Sequence, residues 1–143
     1  VKVLLDVNVL LALAWPNHQF HAAAMAWFDA RPQAEWGTCA LTELAFVRLS
    51  CNPAFTPAAK SPAQALHLLQ VLEADSRHFH LATLPGVSGK GFQGIFERVL
   101  GHKQIMDAYL LGLATRSRVK LLSFDKRIAA LQADGAALEL IPV

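Results

Sequence analysis

From Val7 to Phe28 the chain carries no aspartate, glutamate, lysine or arginine. So long an uncharged stretch raises the question of a membrane segment. Pro16-Asn17-His18-Gln19 breaks it in the middle, leaving each half short of the ~20 residues a helical span requires. Asp6 falls where the apolar region of a signal peptide would lie, which argues against a secretory leader. The expectation is a soluble, cytoplasmic protein without membrane attachment. Cysteine is scarce: Cys39 and Cys51 make no disulfide framework, fit a reducing cytosol and read as small buried side chains. Charge of one sign is scarce too, since a formal net charge of +2 is a weak argument for nucleic acid by itself. No repeat and no linker divides the 143 residues, which read as one domain able to bury roughly 70% of its unfolded surface. What the chain has in excess is apolar: 54% hydrophobic residues and a mean hydropathy of +0.33 imply a thick core or an apolar partner surface.

Strand-like runs alternate with helical ones. Val1–Leu5 is a strand, followed by helices over Val9–Trp15 and, with Asn17 as its cap, His18–Ala30. Glu35–Cys39 is strand-like, and Ala40–Ser50 is a helix apolar nearly all round. Ser61 and Pro62 open a helix over Pro62–Ala74. Phe79–Leu84 is extended, and Pro85–Gly94, rich in glycine, reads as the mobile loop. Ile95–Leu100 is a short helix before the unit that starts at Lys103. That unit holds an apolar helix, a basic stop at Arg116–Arg118 that complements the helix C-terminus, and a strand over Val119–Phe124. A brief helix over Arg127–Leu131 and an edge strand over Leu138–Val143 finish the chain. Strands alternating with helices predict an α/β fold around a parallel sheet.

Four acids stand apart. Asp6 and Asp125 each close an apolar strand, and the ends of strands are where open α/β folds place their sites. Asp107 is the only charge between Gln104 and Thr115, and Glu43 shares its helix with Arg48 alone. An uncompensated carboxylate in an apolar helix costs several kcal/mol. The bland alternative is a structural ion pair, Glu43 with Arg48 or Asp107 with Arg116. If all four acids converge, they need a cation: unit charges ~4 Å apart repel by about 4 kcal/mol at an effective dielectric of ~20. Oxygen-only ligands favour Mg²⁺, with Mn²⁺ as the alternative, over Zn²⁺. Such a centre suits phosphodiester hydrolysis. The other acids, Asp29, Glu35, Glu73, Asp75, Glu97, Asp134 and Glu139, read as solvated surface.

Four segments carry a resemblance: L-L-D-V-N-V-L-L-A-L at the N-terminus, L-T-E-L-A-F-V-R-L around Glu43, M-D-A-Y-L-L-G-L-A around Asp107 and L-L-S-F-D-K-R near the end. In this order and spacing they resemble the PIN-domain nucleases of the VapC toxin type, the ribonuclease half of bacterial toxin–antitoxin pairs. Residues 52–101 match only in general character. The resemblance implies a PIN-like three-layer α/β/α fold, metal-dependent cleavage of RNA, a cognate antitoxin protein as partner, and a homodimer. The family's acidic positions fall on Asp6, Glu43, Asp107 and Asp125 as catalytic residues, with Asp6, Asp107 and Asp125 as metal ligands. Asn8 takes the supporting position, to hold a metal-bound water or orient Asp6. Met106 departs from the pattern, which often has threonine there.

Lys126 and Arg127, directly after Asp125, are candidates for RNA phosphates. The six histidines fit no zinc motif and read as surface or packing residues; His102, just before the Asp107 helix, is the one placed to face substrate. Trp15, Trp27 and Trp36 read as core or dimer contacts. Two other functions compete. Asp6-Val7-Asn8-Val9 resembles the nucleophile motif of haloacid-dehalogenase-like phosphatases, although Asn8 is a poor proton donor where that chemistry wants a second acid. A scaffold with a decayed site is the non-enzymatic alternative, which the presence of all four acids opposes.

Overall fold

The computed structural model describes residues 1–132 and 136–143. Asp134, read above as a surface acid, lies outside them. Five parallel strands form one sheet in the order β3-β2-β1-β4-β5: β1 Lys2–Leu5, β2 Glu35–Cys39, β3 His78–Leu81, β4 Lys120–Ser123 and β5 Leu138–Leu140. The chain winds outward from β1 through β2 to β3, then returns to the other side of β1 for β4 and β5. The winding therefore reverses between β1 and β4, and a crevice opens where their C-terminal ends lie side by side.

The short apolar runs are buried on both faces, as a parallel sheet requires. Val3, Leu5, Trp36 and Leu122 pack under α1 Val7–Ala14, α2 His21–Asp29, α3 Ala40–Ser50 and α4 Pro62–Glu73. Leu4, Leu121, Phe79 and Leu138 face the other layer, built on α5 Lys90–Phe96 and α6 Ile105–Arg116. The three layers and the parallel sheet are the predicted α/β/α arrangement. All three tryptophans belong to the first core.

Element edges differ from the sequence expectation where local hydrogen bonding overrides the pattern. Asn17 does not cap a helix at His18. Turns at His18 and His21 come first, and His18 Nδ1 accepts the N–H of Phe20, the residue before α2. Ser61 does cap α4, exchanging hydrogen bonds with Gln64. Glycine misled the reading of Pro85–Gly94: α5 begins at Lys90 and takes in Gly91 and Gly94. It is held there by packing, with Phe92 buried and stacked on Tyr109 at 4.9 Å, and the Tyr109 hydroxyl donating to the Pro85 carbonyl. Helix α6 ends in a Schellman pattern with Arg118 in the left-handed position at φ 57°: Val119 N–H reaches Ala114 and Arg118 N–H reaches Thr115.

Gly112 is what lets α6 lie against α5, because a Cβ there would meet the Phe92 ring at 2.5 Å. Gly112→Ala is expected to cost about 1–3 kcal/mol in urea unfolding, the usual penalty for overpacking a filled core. Pairing it with Phe92→Leu should recover part of the loss.

Candidate active site

The crevice between β1 and β4 is lined by carboxylates for reasons visible strand by strand. Asp6 is the residue after β1, and its N–H continues the sheet ladder to Leu122 at 3.0 Å. That ladder holds the side chain inside the protein, only 5% exposed. Ser123, the last residue of β4, donates its hydroxyl to Asp6 Oδ2 at 2.7 Å and accepts the Asp125 N–H at 3.1 Å. One buried hydroxyl thereby ties both strand ends together. Asp125 opens the 3-10 turn Lys126–Leu131, accepting the Arg127 N–H at 2.9 Å and a two-pronged contact from its guanidinium at 2.9 and 2.8 Å. Asp107 comes from the first turn of α6, across the crevice.

Asp107 feels the charges of the other two aspartates, and Asp6 feels that of Asp125. Burial lifts the Asp107 carboxyl to about 6, and the charges of Asp6 and Asp125 add to the shift. Burial raises Asp6 as well, opposed first by the Ser123 hydrogen bond, while the charge of Asp125 adds to the rise. Asp125 moves the other way, because Arg127 holds it below the usual carboxylate range. Among the described residues the three carboxylates do not form a group with donor atoms within 4.8 Å of one another, so what the geometry shows of them is their electrostatic influence on each other. Asn8 lies on the exposed side of α1 and lines the same cleft as Asp125 and Arg127. Lys126, His102 and Lys103 are exposed.

Glu43 is engaged elsewhere. Its carboxylate lies 3.0 Å from the Thr38 hydroxyl and 3.4 Å from His80 Nδ1. Burial raises its pKa, followed by the hydrogen bond and charge of Glu73. The same Thr38 hydroxyl lies 2.6 Å from Glu73 and 2.8 Å from His78 Nε2, and Glu73 lies 3.2 Å from that nitrogen. The Thr38 hydroxyl has one proton to give, to one of the two carboxylates at a time, while its oxygen can accept an N–H from His78 Nε2 in the matching tautomer. Among the described residues, Glu43, Glu73 and His78 are the one trio whose donor atoms lie within 4.8 Å of each other. Glu73 and His78, read above as surface and packing residues, are therefore part of a polar cluster beside the sheet. Periodicity gave no sign of it, since Glu73 ends α4 and His78 starts β3, and only the fold brings them to Thr38. Ser123 was also missed; its position two residues before Asp125 was the available signal. The alternative ion pairs do not form: among the described residues, neither Arg48 nor Arg116 bridges an acid.

A three-layer parallel α/β domain with aspartates gathered at the sheet's reversal point defines the class. The chain belongs to the PIN domain family, whose family model matches residues 3–133. It is 41% identical to Ribonuclease VapC38 of Mycobacterium tuberculosis (strain H37Rv) over 128 residues, covering 90% of this chain and 88% of that one. It is 38% identical to Ribonuclease VapC39 of the same organism over 144 residues, covering 100% and 99%. Among solved structures it is similar to the crystal structure of VapBC2 from Rickettsia felis bound to a DNA fragment from their promoter. That match has a TM-score of 0.63 and 11% identity over 98% of each chain, a likeness of fold.

The raised Asp107 pKa sets a pH dependence of stability. Between its ordinary 3.8 and about 6, the folded protein keeps a proton that the unfolded chain has released. Stability therefore falls as pH rises through that window and stays level above it. Without divalent cations, Asp107→Asn is expected to flatten this slope and to be more stable than the parent at pH 7 by about 1–2 kcal/mol. That figure takes about 1.4 kcal/mol per pH unit and discounts it for the carboxylate's contact with water. Urea unfolding of both proteins at pH 4.5 and 7 measures it; a less stable mutant at pH 7 would mean that Asp107 is paired with a cation of the protein.

Proposed function

We propose that this chain acts as a single PIN-like domain that is a metal-dependent endoribonuclease, the toxin of a toxin–antitoxin pair. The observation that carries the reading is the gathering of Asp6, Asp107 and Asp125 at the reversal point of the sheet, where burial first, and then the charges of Asp6 and Asp125, lift Asp107 to about 6. The names of the VapC relatives support ribonuclease activity, and the VapBC2 neighbour, solved as a complex, supports an antitoxin partner.

In this reading Asp6, Asp107 and Asp125 hold Mg²⁺, with Mn²⁺ as the alternative. A bound divalent ion supplies positive charge that polarises the scissile phosphodiester and makes water a better nucleophile. The protein's own groups do the positioning. Ser123 fixes the Asp6 carboxylate by its hydrogen bond. Asn8 offers an uncharged amide beside Asp125 to orient Asp6 or water. Arg127, forked onto Asp125, and Lys126 meet the phosphates flanking the cut. Glu43 remains the fourth catalytic acid on the strength of the family pattern; its side chain must leave Thr38 and His80 to face the aspartates. RNA is the substrate, a cognate antitoxin the partner, and a homodimer the working assembly. An exposed asparagine at position 8, with no acid in its place, leaves the phosphatase alternative without a proton donor.

Purified protein is expected to cut single-stranded RNA in Mg²⁺ or Mn²⁺, with cleavage abolished by EDTA. Asp6→Asn, Asp107→Asn and Asp125→Asn should each lower the rate by at least 100-fold while remaining folded. Full activity in excess EDTA would end the metal mechanism. Co-expression with the protein encoded directly upstream should give a stable complex with suppressed cleavage. If the two purify apart and activity is unchanged, the toxin assignment fails while the nuclease assignment stands.

A further inference from the structure

Beside Asp125 and Arg127 a cleft of about 330 Å³ opens between α1 and the turn that precedes α2. It has the size of a site for one small planar group, at the lower end of the ~300–1,000 Å³ typical of ligand pockets. Phe20 and Phe124 form one wall, their rings 4.9 Å apart and tilted. Phe55 lines it as well and is 37% exposed. Its placement is fixed by a turn in which the Asn52 side chain accepts the Ala54 N–H and the Asn52 carbonyl accepts those of Phe55 and Thr56. The turn leaves part of the Phe55 ring open to water beside the Phe20–Phe124 wall. A second cleft of about 280 Å³ adjoins the first, sharing His18, Gln19 and Phe55.

The charge content decides what fits. Arg127 is the only lysine or arginine lining the first cleft, and Asp125 already takes up its guanidinium. His18 is neutral there: its Nδ1 accepts the Phe20 N–H at 3.0 Å, and burial, with His21 nearby, lowers its pKa. Its remaining nitrogen is then a donor without charge. Gln19 adds an amide that both donates and accepts. Aromatic faces beside uncharged hydrogen-bonding groups suit a nucleobase and offer little to a phosphate.

We propose that this cleft is a subsite for one unpaired base of single-stranded RNA, stacked on Phe55 and contacted at its edge by Gln19 and His18. The proposal rests on the nuclease reading for its location, since a base in this cleft belongs to a nucleotide beside the phosphate at Asp125. An unpaired base is required because a paired one has its faces and edges occupied within the helix. Stacking on one aromatic side chain is worth enough to change binding or cleavage about tenfold.

Two measurements test it. In NMR titrations of the metal-free protein with the four ribonucleosides, saturable shifts are expected at Phe20, Phe55 and His18. They should be lost in Phe55→Ala and restored in Phe55→Tyr. No shift at these residues with any nucleoside at 10 mM overturns the subsite, whether or not the protein cuts RNA. In cleavage assays, single-stranded RNAs with one abasic position, moved stepwise through the sequence, should be cut about tenfold more slowly at one position next to the scissile bond. Phe55→Ala should bring that ratio near one. Equal cleavage of base-bearing and abasic RNAs by the parent also overturns the subsite and leaves the nuclease reading standing. Nucleoside binding at Phe55 without any RNA cleavage supports the cleft and counts against the nuclease.

Discussion

Carboxylates drawn away from water beside one another, Asp6 buried and Asp107 and Asp125 half-buried, are the constraint on which the rest of this molecule turns. Two strands that end in aspartate lie side by side because the sheet reverses its winding between them, and a helix adds a third. Nothing local favours that arrangement. The apolar layers on both faces of the sheet hold it in place, and Ser123 and Arg127 relieve it in part. Ser123 stabilises the ionised form of Asp6, and Arg127 that of Asp125. Among the described residues Asp107 receives no such hydrogen bond, and its carboxyl is lifted to about 6. Under the reading proposed above, the stability given up here is what a bound cation would restore.

Much of this was legible in the sequence because it depends on short-range pattern. Strand runs over Val1–Leu5 and Glu35–Cys39, the serine–proline start of α4, and lone acids in apolar settings are all local signals. They carried the alternation of strands and helices and singled out the three aspartates; the three-layer arrangement came from the family resemblance. Long-range contacts were not legible. Glu73, at the end of one helix, and His78, at the start of the next strand, look solvated until the fold places both against Thr38. The glycines of residues 85–94 signalled a loop, yet Phe92 stacking on Tyr109 is enough to hold a helix there. The Asn17 cap failed because the His18 ring supplies its nitrogen first.

The polar cluster around Thr38 gives Glu43 a different character from the aspartates. Its neighbours are a second carboxylate and two imidazoles, and burial, followed by Glu73, holds its own pKa up. A glutamate in this setting is held by its surroundings until a stronger attraction competes for it. Glu43 and the aspartates thus stand in two polar settings, one around Thr38 of β2 and the start of β3, the other where β1 and β4 end.

The fork of Arg127 on Asp125 reaches beyond pKa values. A guanidinium already neutralised by an internal carboxylate brings no anion of the solution with it, and an RNA phosphate that takes its place displaces an intramolecular partner. Binding through such a residue shifts the cost of association from the ionic atmosphere to the protein itself. Added salt, which weakens the grip of free lysines on a polyanion, also loosens the internal pair. The two effects oppose each other, so under the nuclease reading proposed above a phosphate contact at Arg127 depends less steeply on ionic strength than its charge alone implies.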